Sequence, residues 1–310
     1  MALDLTEVLV IGISSRALFD LEDSNAVFME EGLDAYRAHQ LKNEKKILAK
    51  GTAFALVEAL LRLNKISGKK LVEVIVMSRN SPDTGLRVFN SISHYGLDIS
   101  RAAFSGGTPL SPYLNAFDVD LFLSKSDEDV QAAVDSGVAA ATLYAPPADQ
   151  NLDREQIRIA FDADAVLFSE ESEHIYKTEG LEAFLAHEKK NVNTPMKEGP
   201  FAKLLMTLSY LQHDFPKEKS PVRIAIVTAR NSPAHERVIK KLRTWGVIVD
   251  EAFFLGGLSK DEVLSVFNAH IFFDDQDLHL QSASKKVPSA KVPYKSSSPL
   301  KQQESEDMNG

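Results

Sequence analysis

Cysteine is absent from this chain, which excludes disulfides, thiolate nucleophiles and sulfur-ligated metals together. Any metal must be held by oxygen or imidazole, a donor set suited to hard cations such as Mg2+. A basic surplus is also missing: 35 lysines and arginines face 44 aspartates and glutamates, a net charge of −9. A general nucleic-acid binder needs basic surface to meet phosphates, so that class is set aside, whereas a small phosphorylated ligand needs only a few local cations. No apolar run approaches the roughly 18 residues that span a bilayer. The opening MALDLTEVLVIGISS carries acids where a secretory leader would carry positive charge. The expectation is a soluble, cytoplasmic protein without a membrane partner. No G-x-G-x-x-G follows the first strand of either half, which argues against a dinucleotide-dependent hydride transfer.

What the chain does contain is a copy of itself. Residues 10–40, moved by 148 positions, fall on 158–188 with ten of 31 pairs identical, Glu31-Gly32-Leu33 lying over Glu179-Gly180-Leu181. VMSRNSP (76–82) lies over VTARNSP (227–233) at an offset of 151, and LFLS (121–124) over IFFD (271–274) at 150. The landmarks keep their order, so the repeat decides the architecture. Each half starts with a short apolar strand (7–13; 157–161) and a mostly helical stretch (24–66; 172–213). A second strand (71–77; 222–228), a helix stopped by a glycine (84–95; 234–245), a third strand (102–105; 251–255) and a fourth (117–123; 270–273) follow. Apolar strands alternating with helices predict an α/β fold, two Rossmann-like parallel-sheet units in tandem. Their boundaries are read as 1–148 and 149–280, with the junction in the PPADQNLD stretch (146–153). The segment 281–310, rich in Ser, Lys and Pro, is expected to be disordered.

In open parallel sheets, ligands bind beyond the carboxyl ends of the strands. In the second half those ends carry Asp162 and Asp164, then Thr228, Ala229 and Arg230, then Lys260 past a Gly-Gly turn, then Asp274 and Asp275. Four converging carboxylates repel one another unless a cation joins them, and oxygen ligands suit Mg2+. A carboxylate can attack phosphorus, a second acid two residues on can serve as general acid and base, and Thr228 with Lys260 can hold phosphoryl oxygens. Arg230, in a phrase common to both halves, reads first as a turn or capping residue, and substrate binding is a second role considered for it. His39 and His187 also recur and read as packed or capping side chains. Trp245, the single tryptophan, is expected in the core.

With those residues in place, DADAV (162–166) resembles the first motif of the haloacid-dehalogenase superfamily, and Thr228, Lys260 and Asp274-Asp275 resemble its later motifs in order. SSRALFDLE, FDADAVLFSEESE, VTARNS, LRTWGV, DEAFFLGG and HIFFDDQ resemble, more narrowly, the cytosolic 5′-nucleotidase type I family, over nearly all of residues 7–280. One phrase departs: where the family carries Pro-Lys-Gly, this chain has Leu258-Ser259-Lys260-Asp261. The resemblance implies tandem haloacid-dehalogenase-type units, the second with a small helical cap over about 170–220. It implies Asp162 as nucleophile, Asp164 as general acid and base, Thr228, Ala229 and Lys260 as phosphate ligands, and Mg2+ on Asp162, Asp274, Asp275 and the main-chain carbonyl of Asp164. The implied reaction is hydrolysis of nucleoside 5′-monophosphates. Phosphatase action on another small phosphoester, such as a sugar phosphate, and a purely regulatory nucleotide-binding protein are the alternatives.

The first half serves as an internal control. Asp162 lies over Ser14, Asp164 over Arg16, Thr228 over Met77, Lys260 over Leu110, and Asp274-Asp275 over Ser124-Lys125. Every chemical position is lost there while the surrounding phrases persist. Ser14, Ser15, Arg16, Ser78 and Arg79 would still stand on a strand-end rim, where an arginine can hold a phosphate of substrate or of a nucleotide effector. A homo-oligomer is left open.

Overall fold

The computed structural model describes residues 4–147, 152, 155–213, 215–216 and 219–307, so most of the expected 146–153 junction lies outside the described residues. The chain divides into two units, Met1–Leu143 and Tyr144–Gly310.

The first unit runs β1 (Leu9–Ile13), α1 (Ser15–Leu18), β2 (Phe19–Asp20), α2 (Glu22–Glu31), α3 (Leu33–Lys42), β3 (Ala49–Lys50), α4 (Phe54–Ser67), β4 (Val72–Ser78), α5 (Leu86–His94), β5 (Arg101–Phe104), α6 (Ser111–Ala116), β6 (Leu121–Ser124), α7 (Asp127–Asp135) and β7 (Ala139–Leu143). The second runs β8 (Ile157–Phe161), a tight turn over Ala163–Leu167, α8 (Glu171–Lys190), α9 (Ala202–His213), β9 (Val222–Thr228), α10 (His235–Trp245), β10 (Glu251–Phe254), α11 (Asp261–Phe267), β11 (Ile271–Asp274), α12 (Asp277–Ala283), β12 (Ser289–Lys291) and α13 (Pro299–Asp307).

In the first unit β1 pairs in parallel with β4 and β6, β4 with β5, and β6 with β7. In the second, β8 pairs in parallel with β9 and β11, β9 with β10, and β11 with β12. The two sets have one strand order, with the first strand of each unit in the middle. β1 and β4 are buried along their whole length, as strands covered on both faces must be, which is why they read as continuous apolar runs. Core clusters around Phe122 in the first unit and Phe272 in the second are shut off from solvent. Burying one such aromatic side chain stabilises by roughly 1.5–3 kcal/mol.

Two expectations need correction. Each unit has a fifth strand, β7 and β12, that the sequence pattern did not signal. β7 is mostly alanine and β12 has three residues, so neither carries the β-branched signature of a strand. The segment after 281 is not disordered as far as residue 307: β12 extends the sheet, and α13 follows. Val287, Ala290, Val292, Tyr294 and Leu300 are all buried, none more than 4% exposed. They are spaced irregularly along a polar stretch, so no helical or strand period reveals them.

The segment between β8 and β9 holds α8 and α9, the helices expected there. α8 bends at Gly180 (φ 85), and α2 and α3 in the first unit meet at Gly32 with the same φ of 85. Gly199 brings this segment back against the turn: a Cβ there would lie 2.4 Å from the Phe168 carbonyl oxygen. Its N–H donates to the Leu167 carbonyl at 2.9 Å.

Candidate active site

β8 ends at Phe161, and the next N–H, of Asp162, still donates to the Phe273 carbonyl of β11 at 2.8 Å. The sheet register therefore delivers Asp162 beside Asp274 and Asp275. The chain then turns sharply, with Asp164 extended and Ala165 at φ 58, a left-handed conformation uncommon for a residue with a Cβ. Thr228 ends β9 and is buried. Ala229 follows it at the surface.

Lys260 precedes α11, with its side chain entirely shut from solvent. Its Nζ lies 2.9 Å from Asp162 Oδ1 and 2.7 Å from Asp274 Oδ2. The departure from Pro-Lys-Gly is accommodated: Ser259 Oγ bonds the Asp261 carboxylate, and the lysine still reaches the centre. Asp162, Asp274 and Asp275 each offer an oxygen, all within 4.8 Å of one another, and all three residues are buried. Three carboxylates against one ammonium leave a net charge of −2.

Burial and the neighbouring Asp274 and Asp164 push the Asp162 carboxyl up to about 6, despite Lys260. Burial and the same crowding push Asp275 well above its ordinary value. Asp274 is held below its ordinary value, because Lys260 and His279 together outweigh its burial. Asp275 takes a hydrogen bond from the Tyr294 hydroxyl on one oxygen, while its Oδ1 is buried without a hydrogen-bond partner. A buried carboxylate oxygen without a partner costs free energy. A divalent cation would supply that partner and cancel the net −2, so the donor set fits Mg2+.

Asp164 points elsewhere. Both of its oxygens accept from Arg230, from Nε at 2.7 Å and Nη2 at 2.6 Å, so it stands outside the three-carboxylate cluster. Arg230 also donates through Nη1 to Glu188 of α8 and to the Ala234 carbonyl. Four of the five N–H donors of a guanidinium are thus committed: Arg230 is buried and ties a strand end to α8 and to the turn that opens α10. Glu188 receives Arg237 as well, at 2.9 Å, and Ser172 at 2.8 Å. Glu173 is pushed up to about 7, by burial first and then by the charges of Asp164 and Asp162.

Several of these partners escaped the sequence reading. Tyr294 lay in the segment expected to be unstructured. Arg237, Ser172 and Glu188 had a usable signal, since they lie over Arg87, Ser24 and Gln40, and in the first unit Arg87 donates to both Gln40 and Ser24. His187 bonds Asn191 and Arg237 and takes no part in the acidic cluster. Trp245 is half-buried, stacked on Phe168 at 5.4 Å. Ser14, Ser15, Arg16, Ser78 and Arg79 line a cavity of about 560 Å³ within the first unit.

Parallel strands thus end in acids gathered around a buried lysine. The 5′-nucleotidase family matches residues 1–299, and the chain belongs to it. The human protein named cytosolic 5′-nucleotidase 1B is 38% identical over 288 residues, 89% of this chain and 47% of that protein. The chain therefore spans about half the length of that relative. A chain in a structure of a Pnkp1/Rnl/Hen1 complex aligns over 93% of this chain and 98% of its own, at 10% identity and a TM-score of 0.34, a likeness that carries no argument. Among the described residues, no helix is long and apolar enough to cross a membrane.

Proposed function

We propose that the chain is a Mg2+-dependent 5′-nucleotidase acting in the cytosol, the compartment in its human relative's name. It would convert nucleoside 5′-monophosphates to nucleoside and phosphate on the second of two haloacid-dehalogenase-type units. The observation that carries this is the buried set of Asp162, Asp274, Asp275 and Lys260, with its net −2 charge and the unpartnered Oδ1 of Asp275.

In this reading Asp162, Asp274, Asp275 and the main-chain carbonyl of Asp164 would hold Mg2+, which would screen the approach of a phosphate dianion to a carboxylate. An oxygen of Asp162 attacks phosphorus, the bond to the 5′ oxygen breaks, and Asp164 gives that oxygen its proton. Water then attacks the aspartyl-phosphate and yields its proton to Asp164, which restores Asp162 and releases phosphate. Thr228, the Ala229 main chain and Lys260 hold the phosphoryl oxygens as charge moves. Asp164 must exchange at least one Arg230 bond for the leaving oxygen. Because Arg230 also grips Glu188 on α8, that exchange ties the helical cap to proton transfer.

A panel of nucleoside 5′-monophosphates and sugar phosphates, each with and without Mg2+, tests the reading. Mg2+-dependent phosphate release is expected from the nucleotides. Release from sugar phosphates alone would reject the substrate class, and no release from a folded protein would reject the activity.

A further inference from the structure

The first unit has lost the chemistry and kept a cavity. Six positions account for the change. Asp162, Asp164, Glu173, Asp274 and Asp275 of the second unit correspond to Ser14, Arg16, Asn25, Ser124 and Lys125, and Lys260 corresponds to Leu110. All six replacements line the 560 Å³ cavity, a volume within the usual range of ligand pockets, about 300–1,000 Å³. Five acids and one lysine have become two cations, three neutral polar groups and one leucine, so the formal charge passes from −4 to +2. Such a pocket needs no metal to accept a phosphate, and it has no carboxylate at the nucleophile position.

The part of the site away from the strand ends has been kept. Phe28 and Tyr36 meet edge to face at 5.9 Å and 81°, and Tyr176 and Phe184, 148 positions on, meet at 6.1 Å and 80°. Leu33 and Leu181 accompany them and are exposed at 60% and 56%. Phe28, Leu33 and Tyr36 line the cavity with Arg16 and Lys125. Exposed aromatic and aliphatic surface is costly to retain without a use, and here it stands beside a cationic floor. An aromatic base stacks on such a surface, while arginine and serine hydroxyls hold phosphate oxygens.

Glu22 occupies the cations in the structure described: it receives Arg16 at 3.0 Å and Lys125 at 2.8 Å. Half of its side chain is exposed, so these are weak, displaceable pairs. Arg16 Nε is buried with no hydrogen-bond partner.

We propose that the cavity of the first unit is a nucleotide site that works without metal and binds without hydrolysing: phosphate on Arg16, Lys125 and Ser14, base against Phe28 and Tyr36, Glu22 displaced. The proposal stands apart from the reaction assigned to the second unit, and binding alone tests it.

The experiment is titration calorimetry on the full chain in excess EDTA, with AMP, ATP and inorganic phosphate as probes. Binding of either nucleotide is expected in EDTA, weakened roughly 10- to 100-fold by Arg16→Ala and about tenfold by Phe28→Ala. It should be tightened by Glu22→Gln and unchanged by Tyr176→Ala. Arg16→Lys, which keeps the charge, and thermal melts of each variant separate lost contacts from lost folding. The proposal is overturned if neither nucleotide binds without Mg2+, or if Tyr176→Ala weakens binding and Phe28→Ala does not. It is equally overturned if inorganic phosphate binds as tightly as the nucleotides.

Discussion

Lys260→Met asks how much the buried cation contributes and whether a second cation can stand in for it. The methionine keeps the length of the side chain and removes only the ammonium. Lys260 Nζ sits 2.9 and 2.7 Å from two carboxylates with no exposure of its own side chain. At an effective dielectric near 20, each contact is worth about 6 kcal/mol, much of it offset by desolvating the lysine. Removing one partner of a buried cluster leaves the carboxylates uncompensated, at a net cost of about 3–5 kcal/mol. For a unit of this size that lowers the melting temperature by about 10 °C. Melting should be followed at pH 8, in EDTA and then in a Mg2+ series. The variant is expected to melt far below the parent in EDTA and to gain more from Mg2+, because three carboxylates then face no competing ammonium. A loss below about 1 kcal/mol, or a smaller Mg2+ gain than the parent's, would refute the reading of Asp162, Asp274 and Asp275 as a cation site.

Other outcomes follow from the same geometry. Asp162 and Glu173 are raised to about 6 and about 7, so the folded protein holds protons that the unfolded chain has released. The stability they contribute is fully present below the ordinary carboxylate range and is lost as pH rises through 6 to 7, by up to about 1.4 kcal/mol per pH unit per proton. Melts in EDTA should therefore fall between pH 5 and 8, and saturating Mg2+ should flatten the trend; a rise over that range would contradict the assignment. Arg230→Met strands the buried Asp164 and leaves Glu188 with Arg237 and Ser172, and should cost about 3–5 kcal/mol in urea denaturation as well as slowing phosphate release; an unchanged midpoint would deny the clamp. Leu300→Ala should cost about 2–5 kcal/mol, since Leu300 is 1% exposed; no measurable change would return the segment after 281 to disorder.

Much of the fold was legible because its central strands are buried on both faces. Such strands show as nearly continuous apolar runs, broken in β8 and β9 only by Arg158 and Arg223 near their starts, and 157–161 and 222–228 matched β8 and β9 residue for residue. The acids were legible for a directional reason: in a parallel sheet, whatever follows each strand faces one edge, so Asp162, Thr228 and Asp274 converge by topology. Comparing the two copies then picked out which polar residues were peculiar to one of them. What stayed hidden depends on pairings between distant segments. Arg230 recurs as Arg79, but only the former meets a glutamate on the helical segment, because Glu188 replaces Gln40. Arg79 turns instead to Asp129 at 2.6 Å. Tyr294 reaches Asp275 from a stretch whose composition signals disorder, and no local pattern foretells a contact made across a sheet.

The central claim is that Asp162 carries the phosphoryl group during turnover. Rapid acid quench of the full chain with Mg2+ and a nucleoside 5′-monophosphate labelled on phosphorus, followed by peptide mapping, tests it directly. The expected result is label on the peptide containing Asp162, absent without Mg2+ and absent in Asp162→Asn, which also ceases to release phosphate. Sustained phosphate release by Asp162→Asn, with no labelled peptide in the parent, would contradict the account.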